Sequence, residues 1–172
     1  GYGLFGRVRE REGSGSFVAV PHGHFRCKDG KWVAIACTTN KMFERLAEVM
    51  ERPELASSTL YGMQRKRLAA RDEVNKIVIE WCLSLDRSEV MERCIAGEVP
   101  VGKHNSIADI FEDEHFRARG NLAEIEEEGL GKVVVPNVVP HLSLTPGRIS
   151  NLGPPLGNAT NQVMRDLLDL SA

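Results

Sequence analysis

The sequence predicts an α+β protein: a small domain of two β-hairpins with several short helices, and a C-terminal return segment ending in a helix. Three observations carry that expectation. Two pairs of strand-length runs are joined by glycine turns: the first arm with Phe25 and Cys27 to Trp32–Cys37 across Lys28-Asp29-Gly30-Lys31, and 122–127 to 132–136 across Gly129-Leu130-Gly131. Between them apolar residues recur at helical spacing, most regularly from Asp72 to Leu85. Residues 136–160 are dense in proline and glycine with little periodicity, and such a stretch more often crawls over another surface than forms a core. No internal repeat is visible.

Taken in order, residues 1–20 read as a linker or loop facing an active site, with a charge run (Arg7, Arg9, Glu10, Arg11, Glu12) and Gly13-Ser14-Gly15-Ser16. The opening residues, Gly1 to Gly6, resemble mid-protein sequence. The small domain is expected over 21–122. Trp32–Cys37 is continuously apolar, as for a strand covered on both faces. Thr39 or Asn40 caps a helix that turns Met42, Phe43, Leu46, Val49 and Met50 to one side. Pro53 blocks its continuation. The cluster Arg65-Lys66-Arg67 with Arg71 could hold a phosphate, but flanking acids make it read as a solvated helix face.

From Asp72 a helix buries Val74, Ile77, Val78, Trp81, Cys82 and Leu85, and it is read as structural only. Asp86 and Glu89 resemble a capping pair for the next helix, which carries Val90, Met91 and Ile95 inward and stops at Gly97. A bend-rich connection leads to Asn105 or Ser106, the cap of a short helix expected to bury Ile107, Ala108, Ile110 and Phe111. A helical turn over 114–119 is closed by Gly120. Residues 123–172 then hold the second hairpin and the return segment, whose last helix, capped by Thr160, bears an apolar stripe of Val163, Met164, Leu167 and Leu168.

Composition narrows the function classes. With 172 residues, 42% hydrophobic, the chain can bury a core without a disulfide or a metal. A net charge of −2 argues against a general nucleic-acid or anionic-membrane binder. Cys27, Cys37, Cys82 and Cys94 lack CxxC spacing and sit in apolar patterns, as reduced buried thiols of a cytoplasmic protein would. No apolar run reaches membrane-span length and no secretory leader opens the chain.

Chemistry is harder to find. His22-x-His24 with Cys27 has a loose metal-ligand look, but no second ligand pair follows at zinc spacing. Gly13-Ser-Gly-Ser16 could let backbone amides approach a phosphate or thioester, although without a preceding strand a flexible linker is the simpler reading. There is no serine elbow, P-loop or strand–GxGxxG–helix unit. From the residues alone this is an α+β domain without a recognisable active site.

Several segments in order resemble the class III coenzyme-A transferases (CaiB/BaiF), a family that also includes the 2-methylacyl-CoA racemases. They are Pro21-His-Gly-His-Phe-Arg-Cys-Lys-Asp-Gly-Lys-Trp-Val-Ala-Ile-Ala36, Arg52-Pro-Glu-Leu-Ala56, Val99-Pro-Val-Gly-Lys-His-Asn105, 107–120, Gly129-Leu-Gly-Lys-Val-Val-Val-Pro136, Leu142-Ser-Leu-Thr-Pro-Gly147 and Pro154-Pro-Leu-Gly-Asn-Ala-Thr160. The resemblance implies the C-terminal two fifths of a family member: small domain and tail, without the large nucleotide-fold domain. That missing domain carries the aspartate that attacks the acyl-CoA thioester. By this resemblance the chain alone is catalytically silent, a truncated domain with no catalytic residue and no metal ligand.

The resemblance further implies that Gly13, Gly15, Ser16, His22 and His24 face the substrate, shielding an acyl intermediate from water. The parent enzyme would take an acyl-CoA and a carboxylic acid, with the coenzyme A thioester as substrate and no covalent cofactor. Family members form interlocked dimers, so a homodimer is expected. Racemases place an acidic residue and a proline just after the equivalent of Val33–Ala36, where this chain has Cys37-Thr-Thr-Asn40. That difference favours a transferase; a racemase fragment and a non-enzymatic binding module are the alternatives.

Overall fold

A computed structural model describes residues 1–11, 13–127, 129–168 and 170; Glu12 of the N-terminal charge run lies outside them. The chain forms two compact units, Gly1–His104 and Asn105–Ala172. The division falls inside the segment 21–122 that the sequence assigns to one domain.

In the first unit a single helical turn, α1 (Tyr2–Phe5), is exposed. Ala19 and Val20, the last residues of the presumed linker, are instead buried, and Val20 belongs to the core. The sheet is antiparallel, in the order β1 (His22–Arg26), β2 (Trp32–Ala36), β3 (Val101–Lys103). The first hairpin forms as expected: Gly30 takes φ 78°, and Asp29 Oδ1 accepts from Lys31 N at 3.2 Å. Pairings such as Phe25 with Val33 and Gly23 with Ile35 put these residues on the core face. The other face is not covered as the apolar run suggested, since Trp32 is 44% exposed and Ala34 and Ala36 are half-buried. An antiparallel sheet can leave one face in water, and Ala34 and Ala36 tolerate that because their side chains are small.

The helices supply the other half of the core. α2 (Asn40–Val49) is capped by Thr39, whose hydroxyl accepts from Met42 N at 3.2 Å, and it buries Phe43, Leu46 and Ala47. After a 3₁₀ turn over Pro53–Ala56 come α3 (Gln64–Ala69), α4 (Arg71–Ser84) and α5 (Arg87–Ala96). α4 packs on β1 and buries Val74, Val78 and Cys82, spaced by one helical turn. Glu89 accepts the Asp86 amide at 3.0 Å, closing the expected capping arrangement of α5. Cys94, not Ile95, points inward on α5; Ile95 is 64% exposed, because Val90 and Cys94 define the buried side one turn apart. Gly97 is required for close approach rather than for a left-handed turn: an added Cβ would stand 2.2 Å from Val49 Cγ2, while Glu98 carries the positive φ of 54°.

The second unit contains α6 (Ile107–Glu112), α7 (Glu114–Ala118), the hairpin β4 (Leu122–Glu127) with β5 (Gly131–Pro136), and α8 (Thr160–Leu168). Ser106 and Asp109 cap α6 reciprocally, with Asp109 N donating to Ser106 Oγ at 3.2 Å and Ser106 N to Asp109 Oδ2 at 2.7 Å. The residues expected to be buried on α6 are not: Ile107 is 68% exposed, Ala108 and Phe111 are exposed and Ile110 is half-buried. α6 has its expected helical spacing, but among the described residues of this unit its apolar side stays open. The stripe of α8 is likewise exposed, Leu167 most of all.

Candidate functional site

The chemistry-bearing residues of the first unit meet where β1 faces α4. β1 is the edge strand of its sheet, and its residues alternate between core and outer face. His22 and His24, two apart, therefore share the side opposite Gly23 and Phe25. α4 presents its first turns here, with Arg71 and Asn75 four residues apart and so on one side of the helix. Between the two elements lies a cleft of about 280 Å³ lined by Ser14, Gly15, His22, Gly23, His24, Phe25, Arg71, Asp72, Asn75 and Ile79. The glycine-serine loop closes one side of it. A Cβ at Gly23 would meet Ser14 Oγ at 3.4 Å and Ser14 O at 3.5 Å, so loop and strand are already in contact.

Of the five residues named from the sequence, Gly15, His22 and His24 line this cleft. Gly13 supplies a left-handed turn (φ 61°) before it, and Ser16 accepts from Val18 N at 3.3 Å to shape the loop behind it. His24 also meets His104 edge to face, with ring centroids 4.3 Å apart. Two polar atoms of lining residues, His22 Nδ1 and Asn75 Oδ1, are buried without a hydrogen-bond partner among the described residues. Sequence reasoning missed Asp72 and Asn75, because it treated α4 only as a core helix, and it set Arg71 aside with the basic cluster as a solvated helix face. A signal existed in Asn75, a weak helix former on the polar side of an otherwise regular helix.

Beneath the cleft the segment 18–22 is held by Arg67. The sequence placed this residue on a solvated helix face, and the structure corrects that, since Arg67 is completely buried. Its Nε donates to Val20 O at 2.7 Å, Nη1 to Tyr61 O at 2.8 Å and to Gly62 O at 3.2 Å, and Nη2 to Asn40 Oδ1 at 3.2 Å. The guanidinium also lies over the Phe43 ring, 4.7 Å from its centroid. The helix was read correctly, but three basic residues in a row cannot all face outward on it. Gln64 fastens the same segment, its Nε2 donating to Val18 O.

The arrangement presents one guanidinium, two imidazoles, a carboxamide and loop backbone to a small volume, with Asp72 as the opposing charge. Such a set binds and orients an anion. Asp29, the aspartate of the best-matched motif, is occupied in the hairpin turn. The four thiols are buried, and burial raises them all, Cys37 and Cys94 to about 12, which suppresses the thiolate a nucleophile would need.

Fold and sequence together define the class of protein: the chain belongs to CoA-transferase family III, whose family profile matches residues 2–160. It is 76% identical over 171 residues to the succinyl-CoA–L-malate CoA-transferase alpha subunit of Chloroflexus aurantiacus, covering 99% of this chain and 40% of that protein. It is 54% identical over 171 residues to the beta subunit from the same organism, covering 98% of this chain and 42% of the subunit. A CAIB/BAIF family protein from Brucella suis shares the fold, with a TM-score of 0.75 at 23% identity over 96% of this chain and 42% of that one. The chain thus spans about two fifths of the length of these relatives.

Proposed function

We propose that this chain is part of an enzyme that transfers coenzyme A from succinyl-CoA to a four-carbon hydroxy-diacid, L-malate. The observation that carries the reading is the 76% identity, over 99% of the chain, to a subunit of that specificity. In the net exchange the thioester bond of succinyl-CoA breaks and a new one forms to a malate carboxylate, giving succinate and malyl-CoA. The family resemblance assigns the intermediate acyl transfer to an aspartate of the large domain, so this chain contributes the substrate-facing cleft and not the nucleophile. Alone it is expected to be inactive. The loop from Gly13 to His24 serves by positioning the acids and keeping water from an acyl intermediate.

The enzyme acts in the cytoplasm, in keeping with four unpaired buried thiols and with the absence, among the described residues, of a helix long and apolar enough to cross a membrane. Its partner is a second chain of the same family. The resemblance alone suggests a homodimer, whereas relatives named as alpha and beta subunits favour a non-identical partner.

The test is an exchange assay with succinyl-CoA and L-malate, in which malyl-CoA is followed by chromatography and mass. The chain alone should give none. Extended to the full length of its relatives, together with its partner chain, it should prefer L-malate to oxalate or glutarate by about tenfold or more in kcat/KM, a barrier difference of ~1.4 kcal/mol. Turnover by the isolated chain would refute its assigned inactivity, and a preference for oxalate would refute the acceptor. Epimerisation of a 2-methylacyl-CoA without CoA exchange would establish the racemase instead.

A further inference from the structure

We infer that the cleft between β1 and the first turns of α4 is the subsite for the terminal carboxylate of a short diacid, with Arg71, Asn75 and His22 as its specificity determinants. The choice of diacid rests on the transferase reading above; the recognition of a carboxylate rests on the cleft itself. About 280 Å³ lies just under the ~300–1,000 Å³ of sites for drug-sized ligands, and it suits a four-carbon acid rather than a nucleotide.

The charges point the same way. Arg71 and Asp72 both line the cleft, so its fixed charge comes from one guanidinium set against one carboxylate. That balance suits a single carboxylate held by a planar cation, and it disfavours a phosphate carrying nearly two negative charges.

The backbone adds donors. Cys37 N donates to Pro21 O at 2.9 Å and Cys27 N to Lys31 O at 2.8 Å, so the odd-numbered residues of this arm bond to β2. By antiparallel alternation the peptide groups of His22 and His24 turn to the free edge of the sheet. His22 Nδ1 and Asn75 Oδ1 complete the case. A buried polar atom without a partner costs about 1–3 kcal/mol, and both atoms belong to residues that line this one cleft. No hydrogen bond among the described residues fixes these two atoms, so a change of imidazole tautomer or an amide flip can turn an N–H toward a carboxylate.

The experiment is a titration of the ¹⁵N-labelled chain with L-malate, succinate, L-lactate and inorganic phosphate, read as amide shifts. L-Malate and succinate should shift His22, His24, Arg71 and Asn75 saturably, L-lactate should shift the same residues through its one carboxylate, and phosphate should bind about tenfold more weakly or not at all. Arg71→Gln should weaken malate binding about tenfold or more with the remaining amide spectrum unchanged. Asn75→Leu should weaken it too while raising the thermal midpoint, which a purely structural asparagine would not do. Shifts elsewhere, equal binding of phosphate, or an Arg71→Gln chain that binds malate normally would each overturn the assignment. Because this readout needs no turnover, malate binding here with no CoA transfer by the longer enzyme would refute the transferase reading and leave the diacid site standing.

Discussion

The guanidinium of Arg67 is out of contact with solvent, and its hydrogen bonds run to four backbone carbonyls and a carboxamide rather than to a carboxylate. Burial pushes its pKa down, but a guanidinium stays charged in proteins, so the carbonyl dipoles and the Phe43 face carry the compensation. Removing it strands five acceptors at once. Arg67→Met is therefore expected to destabilise the chain by about 3–5 kcal/mol, although methionine has the apolar character the core accepts. Urea unfolding checks this; a loss within about 1 kcal/mol would mean that the stranded carbonyls find other partners. The same replacement should loosen Val20 and, through it, the strand that carries His22 and His24.

At the scale of elements the helix starts carry much of the design. Thr39 caps α2 through its hydroxyl, and its own carbonyl lies 3.4 Å from Arg67 Nη2. Thr39→Ala should cost about 1 kcal/mol, and Thr39→Ser much less because it keeps the oxygen; thermal midpoints of the two variants decide. The thiols make a second prediction. Cys27 and Cys37 follow strands β1 and β2, Cys82 and Cys94 sit on α4 and α5, and all four enter one core. Burial raises each thiol from the ordinary 9.0, to about 12 for Cys37 and Cys94. An acid raised on folding stabilises the fold fully below its unfolded pKa, and this stability is lost as pH climbs toward the folded value. Stability should therefore fall above about pH 9, by up to ~1.4 kcal/mol per pH unit for each thiol. Urea midpoints between about pH 8 and pH 10 test this, and Cys37→Ala should flatten the slope by one thiol's share.

The whole molecule leaves apolar surface open on α6 and α8. Val163, Met164, Leu167 and Leu168 form a continuous side of α8, and covering each would contribute about 1.5–3 kcal/mol. A groove of about 460 Å³ runs beside it, lined by Pro154, Pro155, Leu156, Val163 and Met164 among others. Under the proposed pairing with a second family chain, Met164→Asp with Leu167→Asp should weaken association by tenfold or more, since each buried side chain is worth more than ~1.4 kcal/mol. Sedimentation equilibrium gives the answer: a wild-type chain that stays monomeric, alone and with a full-length partner, would contradict the pairing.

Much of this protein was legible in its residues, because local physics leaves local marks. Periodicity fixed α4 and its Val74, Val78 and Cys82 stripe; Asp-Gly marked the first hairpin; Thr39, Asp86 and Ser106 announced helix starts; and the ordered segments from Pro21 to Thr160 pointed to the family. Tertiary structure alone decided the rest. β3 is three residues around a glycine, too short to show a period, and exists because β2 offers it an edge. Arg67 became core and Ile107 surface because burial depends on what another element covers, which no periodicity records. The cleft joins residues about fifty apart in sequence, and Arg71 and Asn75 gained meaning only when α4 came to rest against β1.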